Sequence, residues 1–95
     1  MPIRSFKDPR CERILLGEPT GQGFPADLVA VTRRRLRALN RARSLEELRT
    51  PPGNHLEALK RDRVGQHSIR VNRQFRVCFR WTAEGPTDVE FVDYH

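Results

Sequence analysis

The chain ends on Asp93-Tyr94-His95, a carboxylate, a phenol and an imidazole in succession. Upstream lie Lys60, Arg61 and Arg63, then Arg70, Arg76 and Arg80 at even spacing. Set against an RNA phosphodiester, these residue types cover the parts a cleavage reaction needs. A base must activate the 2′-hydroxyl, a cation must stabilise the charged phosphoryl transition state, and an acid must protonate the leaving 5′-oxygen. Histidine suits the proton transfers because its unperturbed pKa is about 6.5. Arginine suits the charge term and makes a poor base. Tyrosine, with an unperturbed pKa of about 10, can donate a proton, stack on a base or hydrogen-bond phosphate. Asp93 can orient either neighbour. The scheme calls for no metal and no cofactor. Each group also has an ordinary reading: His95 as a solvated end residue, Tyr94 as a shield for the edge of the core, Asp93 as a partner for a protein group.

The elements that must position this set have clear periods. From Gln66 on, His67, Ile69 and Val71 alternate with polar residues, and Phe75, Val77, Phe79 and Trp81 alternate with Arg76, Cys78 and Arg80. A period of two is the mark of strands. Asn72-Arg73-Gln74 is short enough to turn a hairpin between them. A third run, residues 87–92, follows the turn candidate Ala83-Glu84-Gly85-Pro86, with Val89 and Phe91 facing the core. The result is an antiparallel meander, apolar on one face and basic on the other.

Residues 26–42 switch to a helical period. Leu28, Val31, Thr32, Leu36, Leu39 and Ala42 share one side of the wheel, and Arg34, Arg37 and Arg41 the other. That arginine side is either a solvated surface or a contact for phosphates or an acidic protein. Arg35 falls inside the apolar stripe, where its stem can cover apolar surface. Pro9 is placed to open a short helix over residues 10–16. Ser44-Leu45-Glu46-Glu47 is a capping-box pattern for a third, over residues 45–49. Residues 3–6 read as a short strand, residues 18–25 as a connector, and residues 56–59 as a brief extended entry to the sheet. The expected fold is α+β: a short N-terminal strand, two to three helices, then a curved antiparallel sheet with helices packed on one face.

Ninety-five residues fit one domain. The chain carries +6, with arginine far outnumbering lysine, which favours a polyanionic partner. Cys11 and Cys78 are isolated and lack metal-ligand spacing, so they read as two reduced thiols, with a single disulfide as the alternative. No hydrophobic leader and no run of membrane-spanning length is present, and a cytoplasmic location without membrane association is expected.

The motifs Ser5-Phe6-Lys7, Leu59-Lys60-Arg61-Asp62-Arg63, Gln66-His67-Ser68-Ile69-Arg70-Val71-Asn72, Phe75-Arg76-Val77-Cys78-Phe79-Arg80-Trp81 and Val92-Asp93-Tyr94-His95 occur in that order. Together they resemble the HigB-type plasmid-maintenance killer proteins of the RelE/ParE-like toxin superfamily. The resemblance spans residues 1–95 as one RelE-like toxin domain. It implies a ribosome-dependent endoribonuclease that cuts translated mRNA in the ribosomal A site. It also implies a HigA-like helix-turn-helix antitoxin, through which the complex reaches operator DNA. The family's active positions fall on Lys60, Arg76, Asp93, Tyr94 and His95. With an RNA substrate, Arg61, Arg63, Arg70 and Arg80 of the basic face are the expected RNA contacts, and Arg34, Arg37 and Arg41 of the helix are expected to face either RNA or the antitoxin. One position departs. A branch of the family has histidine three residues before the lysine; this chain has Glu57 there, and His55 two residues earlier. Glu57 is then either a general base with a raised pKa or the counter-ion of an arginine, which leaves His95 the main proton-transfer group. The superfamily also implies a second class, a non-catalytic binding protein acting as an antitoxin-bound transcriptional cofactor or gyrase inhibitor.

Overall fold

The computed structural model describes residues 1–94; His95 lies outside the described residues. Helix α1 is Pro9–Leu16, opened by proline at its first turn and capped by Asp8, whose carboxylate accepts from the Arg10 main-chain N–H at 3.0 Å. Its end is set by Gly17, which takes the left-handed conformation (φ 77°) that a side chain resists. The expected long helix starts later than its pattern suggests: Ala26–Leu28 is a 3₁₀ turn, and α2 runs Val29–Arg41. Leu36 and Leu39 are fully buried, as the wheel requires. The Ser44–Glu47 capping box forms, but the segment it opens, Leu45–Arg49, is 3₁₀ rather than α-helical.

Four strands follow in the order β1-β2-β3-β4, all antiparallel: β1 Glu57–Ala58, β2 His67–Arg70, β3 Phe75–Thr82 and β4 Gly85–Asp93. The β2–β3 turn closes on Asn72, whose Oδ1 accepts from the N–H groups of Gln74 (2.9 Å) and Phe75 (2.8 Å). Register pairs Ser68 with Cys78 and Arg70 with Arg76. Strand β4 begins two residues earlier than expected. Gly85 and Pro86 pair with Thr82 and Trp81 instead of forming the turn, and Pro86 is tolerated because it lies at the start of an edge strand. Between Cys78 and Arg80 the register shifts, and Asp88 takes a positive φ of 54°, a bulge that adds a residue to β4.

The expected N-terminal strand is a correction. Residues 3–6 run beside β4, but Phe6 makes only an isolated parallel bridge to Val89. The Arg4 N–H donates to the Pro86 carbonyl (2.7 Å), the Val89 N–H to Ser5 (3.2 Å) and the Lys7 N–H to Val89 (2.9 Å). The bulge turns the edge of β4 at this point, so a continuous ladder has nothing straight to pair with.

Ile69, Val77, Phe79, Val89 and Phe91 face the helices and join Cys11, Ile14, Leu36 and Leu39 in one core. Phe91 stacks against Phe75 (4.7 Å between centroids) and packs tilted on Phe24 (4.4 Å). Arg10 lies over both Phe24 and Phe91. Burial pushes the Asp8 carboxyl up, but the side-chain and main-chain hydrogen bonds from Arg10 outweigh it and hold the group below its usual value. Both cysteines are free and buried, on opposite sides of the sheet; burial pushes the Cys11 thiol up to about 12 and the Cys78 thiol up to about 11. Neither is an accessible nucleophile.

Candidate functional site

The second face of the sheet is less open and less basic than the alternation suggests. Ser68 and Cys78 have the parity of that face, yet both are fully buried. Arg63 reaches over from the segment before β2, donating to Glu90 Oε1 (2.8 Å) and Gln66 Oε1 (3.1 Å). The hydrogen bond to Glu90 raises the Arg63 pKa against the opposing effect of burial. Glu90 is also 3.7 Å from Lys7. Arg63 is therefore part of the architecture on this face.

Residues 57–63 and Tyr94 enclose a cleft of about 440 Å³. The segment is shaped by backbone more than by side chains. Strand β1 pairs Glu57 with Ser68 and Ala58 with His67. The Leu59 N–H then donates to the Gln66 carbonyl (2.9 Å), and Leu59 is buried as the anchor. A 3₁₀ turn, Arg61–Arg63, follows, with Arg61 at φ 60°. Lys60 and Arg61 are left exposed on the cleft wall.

Arg76 does not line this cleft but meets two residues that do, Glu57 and Tyr94. Its side chain is only 13% exposed. Its Nε donates to Ser68 Oγ at 2.6 Å and its Nη2 to the His55 carbonyl at 2.5 Å. Glu57 Oε1, on a side chain 54% exposed, is 4.0 Å from Nη2. The Tyr94 ring packs on the guanidinium, 5.9 Å from Cζ to centroid. Tyr94 is held by its N–H, which donates to the Gln74 carbonyl (2.7 Å), and is 38% exposed. Asp93 accepts from Gln74 Nε2 at 3.0 Å, which ties it to the β2–β3 turn.

The structure thus gathers Glu57, Lys60, Arg61, Arg63 and Tyr94 around one cleft and sets Arg76 against two of them, Glu57 and Tyr94. Asp93 adjoins Tyr94 in sequence, and His95 lies outside the described residues. Glu57 is the carboxylate at ion-pair distance from Arg76 among the described residues. Two arginines of the basic face lie elsewhere. Arg70 Nε donates to the Asn72 carbonyl (3.1 Å), bracing the turn, and Arg80 is 3.8 Å from Asp88 at the bulge. Arg34, Arg37 and Arg41 belong to a separate groove of about 400 Å³, shared with Arg35, Ala38, Pro51 and Asn54. Arg35 is not a surface cation: its Nε donates to the Arg70 carbonyl (2.8 Å), and burial followed by the nearby Arg34 charge lowers its pKa. Among the described residues no group of three His, Cys, Asp or Glu gathers as a metal site, and no helix is long and apolar enough to cross a membrane.

Two partners of Arg76 escaped sequence reasoning. Ser68 was legible in principle. A three-residue turn sets Arg70 opposite Arg76, which places Ser68 diagonally across from Arg76 on the same face. The His55 carbonyl was not, since it depends on a left-handed backbone (φ 45°) after the 3₁₀ turn Pro52–Asn54.

Comparison with known proteins agrees with this architecture. Residues 4–95 match the family model of the HigB-like toxins, described as the RelE-like toxin of type II toxin-antitoxin system HigB. Toxin HigB-1 of Vibrio cholerae serotype O1 is 33% identical over 90 residues, covering 95% of this chain and 94% of that protein. An uncharacterised protein of Haemophilus influenzae is 33% identical over 76 residues, covering 80% of this chain and 75% of its own length.

Proposed function

The chain belongs to the RelE-like HigB toxins of type II toxin–antitoxin systems, and from that premise we propose that it is an endoribonuclease that cuts mRNA held in the ribosomal A site. A type II toxin has a protein antitoxin as its partner; here we take that partner to be a HigA-like helix-turn-helix protein that carries the complex to operator DNA. The observation that carries the reading is Arg76. A guanidinium with two neutral hydrogen-bond acceptors stands beside a cleft whose wall offers Lys60 and Arg61.

In the proposed reaction the 2′-oxygen of the mRNA attacks the adjacent phosphorus and loses its proton to a base. The bond to the 5′-oxygen breaks, and that oxygen takes up a proton. The products are a 2′,3′-cyclic phosphate and a 5′-hydroxyl. Arg76 stabilises the charge that builds on the phosphoryl oxygens. Lys60 and Arg61 hold neighbouring phosphates, and Tyr94 stacks on the Arg76 plane and faces the substrate. His95 is assigned a proton transfer, with Asp93 orienting the terminal residues. The positive charge comes from arginine and lysine, so the scheme uses acid–base chemistry without a metal. The cleft offers few bases, which is why the ribosome is given the task of constraining the strand for in-line attack.

The test is cleavage by purified protein of free RNA and of the same RNA programmed on ribosomes. Cutting is expected on the ribosome and not on free RNA, and removing His95 should slow it by about 10²-fold, the scale of one lost proton transfer. Equal rates on both substrates would reject ribosome dependence. Antitoxin binding without any cutting would fit a binding protein, gyrase inhibitor or transcriptional cofactor instead.

The α2 groove contributes affinity in this account. Arg34, Arg37 and Arg41 make no ion pair among the described residues, and α2 contains no acidic residue. Replacing all three by glutamine should reduce the salt dependence of ribosome association by about two to three units of slope, at roughly 0.7–0.9 for each phosphate no longer neutralised. Binding isotherms across a salt series would show it; an unchanged slope would mean that the groove takes no phosphate.

A further inference from the structure

We propose that Ser68 and the main chain of His55 form a two-point clamp that fixes the orientation of Arg76, and that residue 55 acts through its carbonyl rather than its imidazole. The inference rests on the role given to Arg76 above. An arginine side chain has several free rotors, and a guanidinium left to wander must lose that freedom at the moment of reaction. Here Nε is tied to a fully buried hydroxyl at 2.6 Å, and Nη2 to a carbonyl at 2.5 Å. Two directional bonds fix an axis through the rigid plane, and the Tyr94 ring packed against it restricts rotation about that axis. Among the described residues, no hydrogen bond engages Nη1. That edge remains for a phosphoryl oxygen.

The chemical character of the two acceptors matters. Both are neutral, so the clamp orients the cation without cancelling its charge. A buried carboxylate would orient it equally well and weaken its pull on phosphate. Glu57, the carboxylate at ion-pair distance, stands at the exposed side, 4.0 Å away, where an incoming phosphate can replace it.

The backbone at residue 55 is built for this contact. His55 closes the 3₁₀ turn Pro52–Asn54, with its N–H donating to the Pro52 carbonyl (3.1 Å), and adopts φ 45°. Buried Asn54 fixes the turn from inside, its Nδ2 donating to the carbonyls of Leu48 (3.1 Å) and Thr50 (3.2 Å). The imidazole itself is on an exposed residue and makes no hydrogen bond among the described residues. Glycine adopts this left-handed conformation readily, whereas a β-branched residue there is an outlier.

Two measurements test the clamp. The first is hydrogen exchange at the Arg76 side-chain Nε–H, read by nitrogen-15 NMR on the purified chain and assigned by its loss in R76K. Exchange should be slow in the wild type and faster by about tenfold or more in Ser68→Ala, the equivalent of one lost hydrogen bond. Equal exchange in both would overturn the Ser68 contact. The second is single-turnover mRNA cleavage on ribosomes. His55→Gly should keep activity within about twofold, while His55→Val and Ser68→Ala each lose about tenfold; in an Arg76→Ala background neither should cost anything further. A loss in His55→Gly as large as in His55→Val would overturn the carbonyl assignment, because the ring would then be the active part. Additive losses in the Arg76→Ala background would show that Ser68 does not act through Arg76. Melting curves confirm that each variant is folded; residue 55 is exposed, so its variants leave the core untouched. A wild-type chain that cuts no mRNA would defeat the proposed activity, and the exchange measurement would still decide whether the clamp exists.

Discussion

Arg76→Ala is expected to lower single-turnover cleavage of ribosome-bound mRNA by about 10²–10³-fold, the range for losing one preorganised donor to a developing anion. Three features place it at that scale. The guanidinium is mostly enclosed, so its charge is less screened than that of an exposed arginine. Both of its hydrogen-bond acceptors are neutral, and the carboxylate at ion-pair distance, Glu57, is on an exposed side chain 4.0 Å away. It stands beside the cleft wall that carries the other cations, Lys60 and Arg61. The loss should appear in the rate at saturating ribosome. Arg76→Lys should recover little of it, because an ammonium cannot bond Ser68 and His55 in one plane while presenting a further donor. Circular dichroism on the purified variant separates this from unfolding, since the core side chains lie on the other face of the sheet. A loss of less than about tenfold in folded protein would move the charge-stabilising role to another cation.

Phe79→Ala should have the largest effect on stability, about 3–5 kcal/mol. Phe79 is the largest of the fully buried side chains, at the middle of β3, stacked near His67 with centroids 6.3 Å apart. Its neighbours in the core, Ile69, Val77 and Val89, are themselves fully buried. Domains of this size have about 5–15 kcal/mol in total, so this one change removes a large share. Chemical denaturation should show a lower midpoint with a similar slope. Activity should fall on warming and return on cooling, since Arg76 and its partners are intact in the folded fraction. A destabilisation below about 1 kcal/mol would mean that the sheet and helices close over the vacancy.

These two residues also show how far the sequence could be read. Phe79 and Arg76 sit on opposite faces of one strand, and their alternation alone assigns one to the core and the other to the polar side. The turn at Asn72, the Ser44–Glu47 capping box and the apolar stripe of α2 were equally local, and all three form. What could not be read depends on partners distant in sequence. The Arg63–Glu90 pair joins residues 27 positions apart and braces an arginine whose partner within the fold no local pattern announces. The bulge at Asp88 shifts the β4 register and, with it, the edge available to residues 3–6. The left-handed backbone at His55 has no side-chain signature, yet it supplies one of the two bonds that hold Arg76. Glu57 was ambiguous between base and counter-ion because both roles suit an extended carboxylate. In the fold its Oε1 stands 4.0 Å from Arg76 Nη2, at ion-pair distance.

The family match supports a toxin with an antitoxin partner, and the proposed function puts its action on RNA at the cleft. Mapping the 3′ ends of a defined mRNA on programmed ribosomes, with purified wild-type chain beside Arg76→Ala, tests this most directly. The account predicts cuts confined to the A-site codon, ending in a cyclic phosphate, made by the wild type and nearly absent with the variant. Intact mRNA after treatment with folded, antitoxin-binding wild-type protein would contradict it, as would the same cuts at the same rate with Arg76→Ala.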